Sequence, residues 1–182
     1  MNKLPPVIFL VPVIAFILVV VFYFILLKRE ANKAAFTRFV FLTTVLAFVM
    51  NFAWEIIQIP LYKSNVNDIQ HTSFCALASV ADAIMVLLIY FGFALIYKNA
   101  FWIKNINIQR ALLIIFTGGI GAILAEMRHL SEGDWAYTSS MPVIPLVNVG
   151  ISPLFQFMLL PLLIYHVSFL LLKLSINNNL RR

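Results

Sequence analysis

Five long apolar runs, each closed by polar or charged residues, constrain this chain more than any other feature of it. They lie near 5–27, 39–60, 74–97, 111–128 and 151–172. A helix needs about 20 apolar residues to cross the hydrocarbon core of a bilayer, and each run comes close to that length or exceeds it. Only 11% of the 182 residues are charged and 63% are hydrophobic, whereas a soluble domain is about a quarter charged. A soluble chain of this kind would expose more apolar surface than a monomer tolerates. The reading is therefore all-α: one integral membrane bundle of five transmembrane helices occupying 1–182, with membrane lipids as its surroundings.

The first run is read as a retained helix rather than a signal peptide. It is longer than a signal h-region, and Lys28-Arg29-Glu30 follows it where a small-residue cleavage site would be needed. Short polar loops join the five runs, with no low-complexity tract or internal repeat between them.

The net charge of +6 raises the question of nucleic acid. The bases do not interleave with aromatics as they would on such a surface, so no nucleic-acid partner is expected. They sort instead by loop. Lys28, Arg29, Lys33, Arg38, Lys98, Lys104, Arg110, Lys173, Arg181 and Arg182 fall on one side, and Lys3, Lys63 and Arg128 on the other. The positive-inside rule then puts the N-terminus outside and the C-terminus in the cytoplasm, in a plasma (inner) membrane.

Three carboxyl residues interrupt the spans: Glu55, Asp82 and Glu126. Each costs about 2.5–3.5 kcal/mol at mid-membrane on insertion scales, which makes an intramembrane carboxyl a functional candidate by default. Under the topology above, all three fall in the outer half. Asn51, Glu55 and Gln58 share one helical face, as do Cys75, Ser79 and Asp82, and Gly119, Ala122 and Glu126. Ser152 and Gln156 share another at the start of the fifth helix. These stripes predict a polar pocket opening outward. Glu55, Asp82 and Glu126 are its candidate catalytic residues. Asn51, Trp54, Gln58, Arg128, Trp135, Tyr137 and Gln156 are candidates for binding a substrate.

Arg128 could pair with Glu55 or Glu126, or receive an anionic group. The Glu126-Met-Arg-His129 spacing is that of di-metal carboxylate bundles, and Glu55, Asp82 and His71 could add ligands. Such bundles use two copies of the motif and only one is present, so no metal is expected. No motif asks for a cofactor, and Gly119-Ile-Gly121 lacks the third glycine of a dinucleotide fingerprint. Cys75 stands alone, which excludes an intramolecular disulfide. His166 reads as a hydrogen-bonded histidine of the bundle. The pairs Gly118/Ala122 and Gly121/Ala125 predict close helix approach, with the fourth helix in the middle of the bundle. The 131–150 loop, with Trp135, Tyr137, Met141, Pro142 and Pro145, reads as a segment that dips back over the bundle as a lid.

The motif Asn51-x-x-Trp54-Glu55-x-x-Gln58-x-Pro60-Leu61-Tyr62, the Trp135-Ala136-Tyr137 and Met141-Pro142 pair, and Gly150-x-x-Pro153-x-x-Gln156 with Asp82 resemble an uncharacterised family of small bacterial multi-pass membrane proteins. The resemblance spans about residues 40–165 and implies that these positions act together. The sterol-isomerase-like membrane fold offers only an analogy, because its paired His and Glu are not reproduced on the second helix.

A carboxyl group in an apolar setting can serve as general acid and a better solvated one as base. The pattern thus suits an enzyme working on a lipophilic, isoprenoid or lipid-like small molecule. The alternatives are a small transporter or proton-coupled carrier, for which a homo-oligomer would have to supply the missing symmetry, and a non-enzymatic accessory subunit.

Overall fold

A computed structural model describes residues 10–63 and 68–179, with side chains from 72 to 177 in the second stretch. It is an all-α bundle of α1 (Leu10–Arg29), α2 (Lys33–Gln58), α3 (Asp68–Ile96), α4 (Ile108–Glu132) and α5 (Ile151–Asn179). All five helices are long and apolar enough to cross a membrane. The chain is a multi-pass membrane protein. Residues 5–9 of the first expected helix and the His71 side chain lie outside the described residues.

The helices overrun the apolar runs because their ends are set by caps, not by hydropathy. Asn32 caps α2 by accepting from the Ala35 amide at 2.9 Å, and Asn107 does the same for Arg110 at the start of α4. Gly133, at φ 75°, closes α4 in a left-handed turn, with the Asp134 amide returning to the His129 carbonyl at 3.0 Å.

In the bundle, α2 packs between α3 and α5, α1 leans on α3, and α4 leans on α5. Helices α3 and α4 barely meet, so the arrangement is a horseshoe with a gap between them. The expectation that α4 sits mid-bundle is therefore wrong. Its small residues do two different things. At Gly118 the backbone of α5 comes so close that a Cβ would stand 1.9 Å from the Phe157 carbonyl oxygen. Pro161 lacks the N–H that this carbonyl would otherwise receive within α5, which leaves it turned toward α4. At Gly121, by contrast, a Cβ would meet nothing within 4 Å, because that face borders the gap.

Two ends of the bundle differ in character. One end carries the short α1–α2 turn and the α3–α4 connection, in which a 3-10 turn, Trp102–Asn105, tucks inward. There Phe36, Phe39, Tyr90, Phe91, Trp102 and Tyr165 form a buried aromatic core. Their polar tips find main-chain carbonyls: Tyr90 donates to Ala100, Trp102 to Tyr90 at 3.2 Å, and Tyr165 to Val86 at 2.6 Å. The other end carries the α2–α3 and α4–α5 connections and collects most of the buried polar residues, Asn51, Gln58, Ser79, Glu126 and Gln156.

Candidate functional site

Helix α2 brings Asn51, Glu55 and Gln58 to its face toward α5, as the i, i+4, i+7 spacing requires, and Gln156 of α5 meets them. The Gln156 amide is within reach of three acceptors: Asn51 Oδ1 at 2.9 Å, Asp82 Oδ2 at 3.0 Å and Glu55 Oε1 at 3.3 Å. An amide nitrogen carries two protons, so one of them is shared. Gln58 donates to Glu55 at 2.8 Å and to the Gln156 carbonyl at 3.4 Å. Ser152 donates to the Gln58 carbonyl at 2.9 Å, and the Trp54 indole donates to Ser152 at 3.3 Å. Asn51, Gln58 and Gln156 are all buried. One network thus joins three helices and two of the three intramembrane carboxyl groups. Ser79 takes no part in it, because its hydroxyl donates to the Cys75 carbonyl of its own helix at 2.7 Å.

Glu126 is held separately, from above. Its Oε2 accepts from the Trp135 indole at 3.2 Å and from the Tyr137 hydroxyl. Tyr137 in turn accepts the Gly150 amide at 3.0 Å. Burial, together with the hydrogen bond to Glu126, pushes the Tyr137 hydroxyl well above the ordinary tyrosine range, which keeps it a donor. Tyr62 packs edge-on to Tyr137, with ring centres 5.3 Å apart, and burial and the nearby acids push its hydroxyl up as well, Glu126 contributing most among them.

The 131–150 segment forms the expected cover. Thr138 donates its amide to the Leu61 carbonyl at 2.9 Å, and Lys63 donates to the Ala136 carbonyl at 2.8 Å, so the segment is stitched to the end of α2. A two-residue ladder, β1 (Val143–Ile144) with β2 (Val149–Gly150), folds it back to α5, and Met141 is buried beneath. Gly150 has no room for a side chain: a Cβ would lie 2.8 Å from Met141 Sδ and 3.1 Å from the Tyr137 ring.

Other expectations fail. Arg128 pairs with neither Glu55 nor Glu126 but with Glu132, one helical turn on, at 3.0 Å. His129 turns from Glu126 to Asp134, with Nδ1 to Oδ2 at 2.6 Å, and stacks on Trp135 at 4.2 Å. The turn at Gly133 that closes α4 is what brings Asp134 back to it. The Glu-x-x-His motif therefore does not act as a unit. His129, Glu132 and Asp134 lie close together, but each already has a partner. His166 lies exposed on the lipid-facing side of α5.

The gap between α3 and α4 is a cavity of about 890 Å³. Its walls are almost wholly apolar, from Phe74 to Ile96 on α3 and from Leu113 to His129 on α4. Asp82 and Glu126 line it, and Trp135 and Arg128 stand at the same end. Glu55 does not line it; it stands behind Asp82, joined through Gln156.

No family model, curated protein or solved structure matches this chain.

The site therefore rests on geometry. The segments 51–62, 135–137 and 150–156 do meet in space, through the bonds described above. The groove had no clear signature in the sequence. Among the glycines of its wall, Gly92 and Gly121 have nothing within 4 Å of a Cβ. Glycines outside any packed contact were the available signal, and sequence alone does not separate them from packing glycines such as Gly118.

Proposed function

We propose that this protein is a membrane enzyme that moves a proton to or from a lipophilic, isoprenoid or lipid-like substrate lying in the α3–α4 groove. The observation that carries the reading is that Asp82 and Glu126 both border an apolar groove and are both fixed by donors that are themselves held. Fixed donors and a nearly dry wall are what preorganised acid–base chemistry needs. Asp82 and Glu126 are the catalytic pair. Glu55 is a positioning residue, acting through Gln156 and Gln58. Trp135 and Tyr137 hold Glu126, and Trp135 also lines the groove. Asn51, Trp54 and Ser152 brace the network.

The site faces the outer leaflet of a plasma membrane, with the N-terminus outside and the C-terminus in the cytoplasm, as the ten-to-three division of basic residues supports. A carrier is less well supported, because the acids outside this cluster stand at helix ends or in loops and offer no relay through the other half.

Purified protein incubated with a membrane lipid extract in D2O tests the reading. A lipid that gains carbon-bound deuterium by mass spectrometry, with the gain lost in Asp82→Asn and Glu126→Gln and kept in His166→Ala, which is exposed and outside the groove, is the expected result. Absence of exchange into any lipid would overturn it.

A further inference from the structure

The groove has a shape and a charge pattern that specify its occupant more closely. Along α3 it runs from Phe74 to Ile96, roughly 33 Å, and along α4 from Leu113 to His129, roughly 24 Å, at 1.5 Å per residue. An extended hydrocarbon chain, packed at carbon contacts of about 4 Å, needs roughly 20 Å² of cross-section. At about 890 Å³ over that length, the groove has room for such a chain.

Its polar end is selective by charge. Four titratable residues line it: Asp82, Glu126, Arg128 and His129. The two basic ones are already matched by acids, Arg128 by Glu132 and His129 by Asp134. The two acids have no cationic partner among the described residues. Each accepts through one oxygen, Asp82 Oδ2 from Gln156 and Glu126 Oε2 from Trp135 and Tyr137. Hydrogen bonds among the described residues leave Asp82 Oδ1 and Glu126 Oε1 as acceptors. A phosphate head brought to this end would meet two carboxyl groups and cations already paired. An ammonium head brings up to three donors and the opposite charge.

We infer that the groove binds a single-chain amphiphile with a primary amine head, which slides in from the bilayer between α3 and α4 and sets its ammonium against Asp82 and Glu126. This rests on the reading that these two residues face a lipophilic substrate, and it names that substrate's class.

Competition among dodecylamine, dodecanol and dodecyl phosphate for the detergent-solubilised full chain, read by native mass spectrometry, tests it. The amine is expected to occupy the protein at least tenfold more than the phosphate. Asp82→Asn with Glu126→Gln should bring that ratio near one while all three chains still bind. Gly121→Phe and Gly92→Leu, at wall positions where a Cβ would meet nothing within 4 Å, should each cut binding of all three at least tenfold. Chain binding without amine preference, or a preference that survives the double substitution, would overturn the amine head and leave the lipophilic reading standing. Failure of every chain to bind the native protein would overturn both. A dimer that Gly121→Phe dissociates would assign the groove to a second copy and overturn the inference as well.

Discussion

Replacing Gly118 by alanine should loosen the bundle far more than the same change three residues later. An ordinary contact for a Cβ begins near 3.4 Å, and at position 118 the new atom would stand 1.9 Å from the Phe157 oxygen. The difference, 1.5 Å, must be found between two helix backbones, since neither atom belongs to a side chain that can rotate away. Overpacking costs about 1–3 kcal/mol when side chains share the strain. Here the upper end applies, about 3 kcal/mol, or roughly a hundredfold in the folding equilibrium. Two neighbours serve as internal standards. At Gly119 a Cβ would lie 3.1 Å from the flexible Met158 side chain, so Gly119→Ala should cost little. At Gly121 it would meet nothing, and removing a glycine from a helix interior gains about 0.5–1 kcal/mol. Reversible unfolding by SDS in mixed micelles measures all three. The reasoning fails if Gly118→Ala and Gly121→Ala unfold at the same denaturant fraction, because the close approach would then carry no energy.

Four further outcomes follow from the site. Tyr137→Phe removes both the donor to Glu126 and the acceptor of the Gly150 amide, a loss of about 1–2 kcal/mol, and amide exchange should quicken across 136–150; unchanged exchange there would contradict the lid's anchoring. Gln156→Leu deletes four hydrogen bonds that average about 0.6 kcal/mol each in membrane bundles, so it should cost about 2 kcal/mol, with Gln156→Glu worse because it adds a third carboxyl beside Glu55 and Asp82; a Glu variant as stable as the native chain would refute this. Tyr62 and Tyr137 keep their protons above the ordinary value of 10.0 when folded, so their contribution is complete below that pH and is lost as the pH rises past it; alkaline unfolding of Tyr137→Phe should therefore have a shallower slope than that of the native chain. Reporter fusions after Arg38 and Arg110 should report cytoplasm and one near Asp134 the outside, and the reverse pattern would place the site in the other leaflet.

Much of this architecture could be read from the chain, and the limits have physical causes. Five helices follow from apolar length alone. Their ends do not: α2 begins at Lys33 and α4 at Ile108 because the Asn32 and Asn107 caps carry each helix past its apolar run. The polar ladder was legible because Asn51, Glu55, Gln58 and Gln156 obey helical spacing, and an amide buried in lipid needs a partner. Glu126, Trp135 and Tyr137 were legible as polar and aromatic groups at one depth, but the hydrogen bonds between them depend on where a loop folds. The partners of Arg128 and His129 were not legible, because an acid one turn along the helix, or just past its last turn, is nearer than any on another helix. The place of α4 was misread because glycine looks the same whether a neighbour fills the space beside it or leaves it open.

The 131–150 segment is sewn to the end of α2 and lies over the polar residues, while among the described residues no loop is bonded across the flank between α3 and α4. A ligand arriving sideways is met at its mole fraction in the lipid, not at its molarity in water. Apparent affinities will therefore scale with the ratio of lipid to protein, and a weak site facing the membrane will be full whenever its ligand partitions strongly.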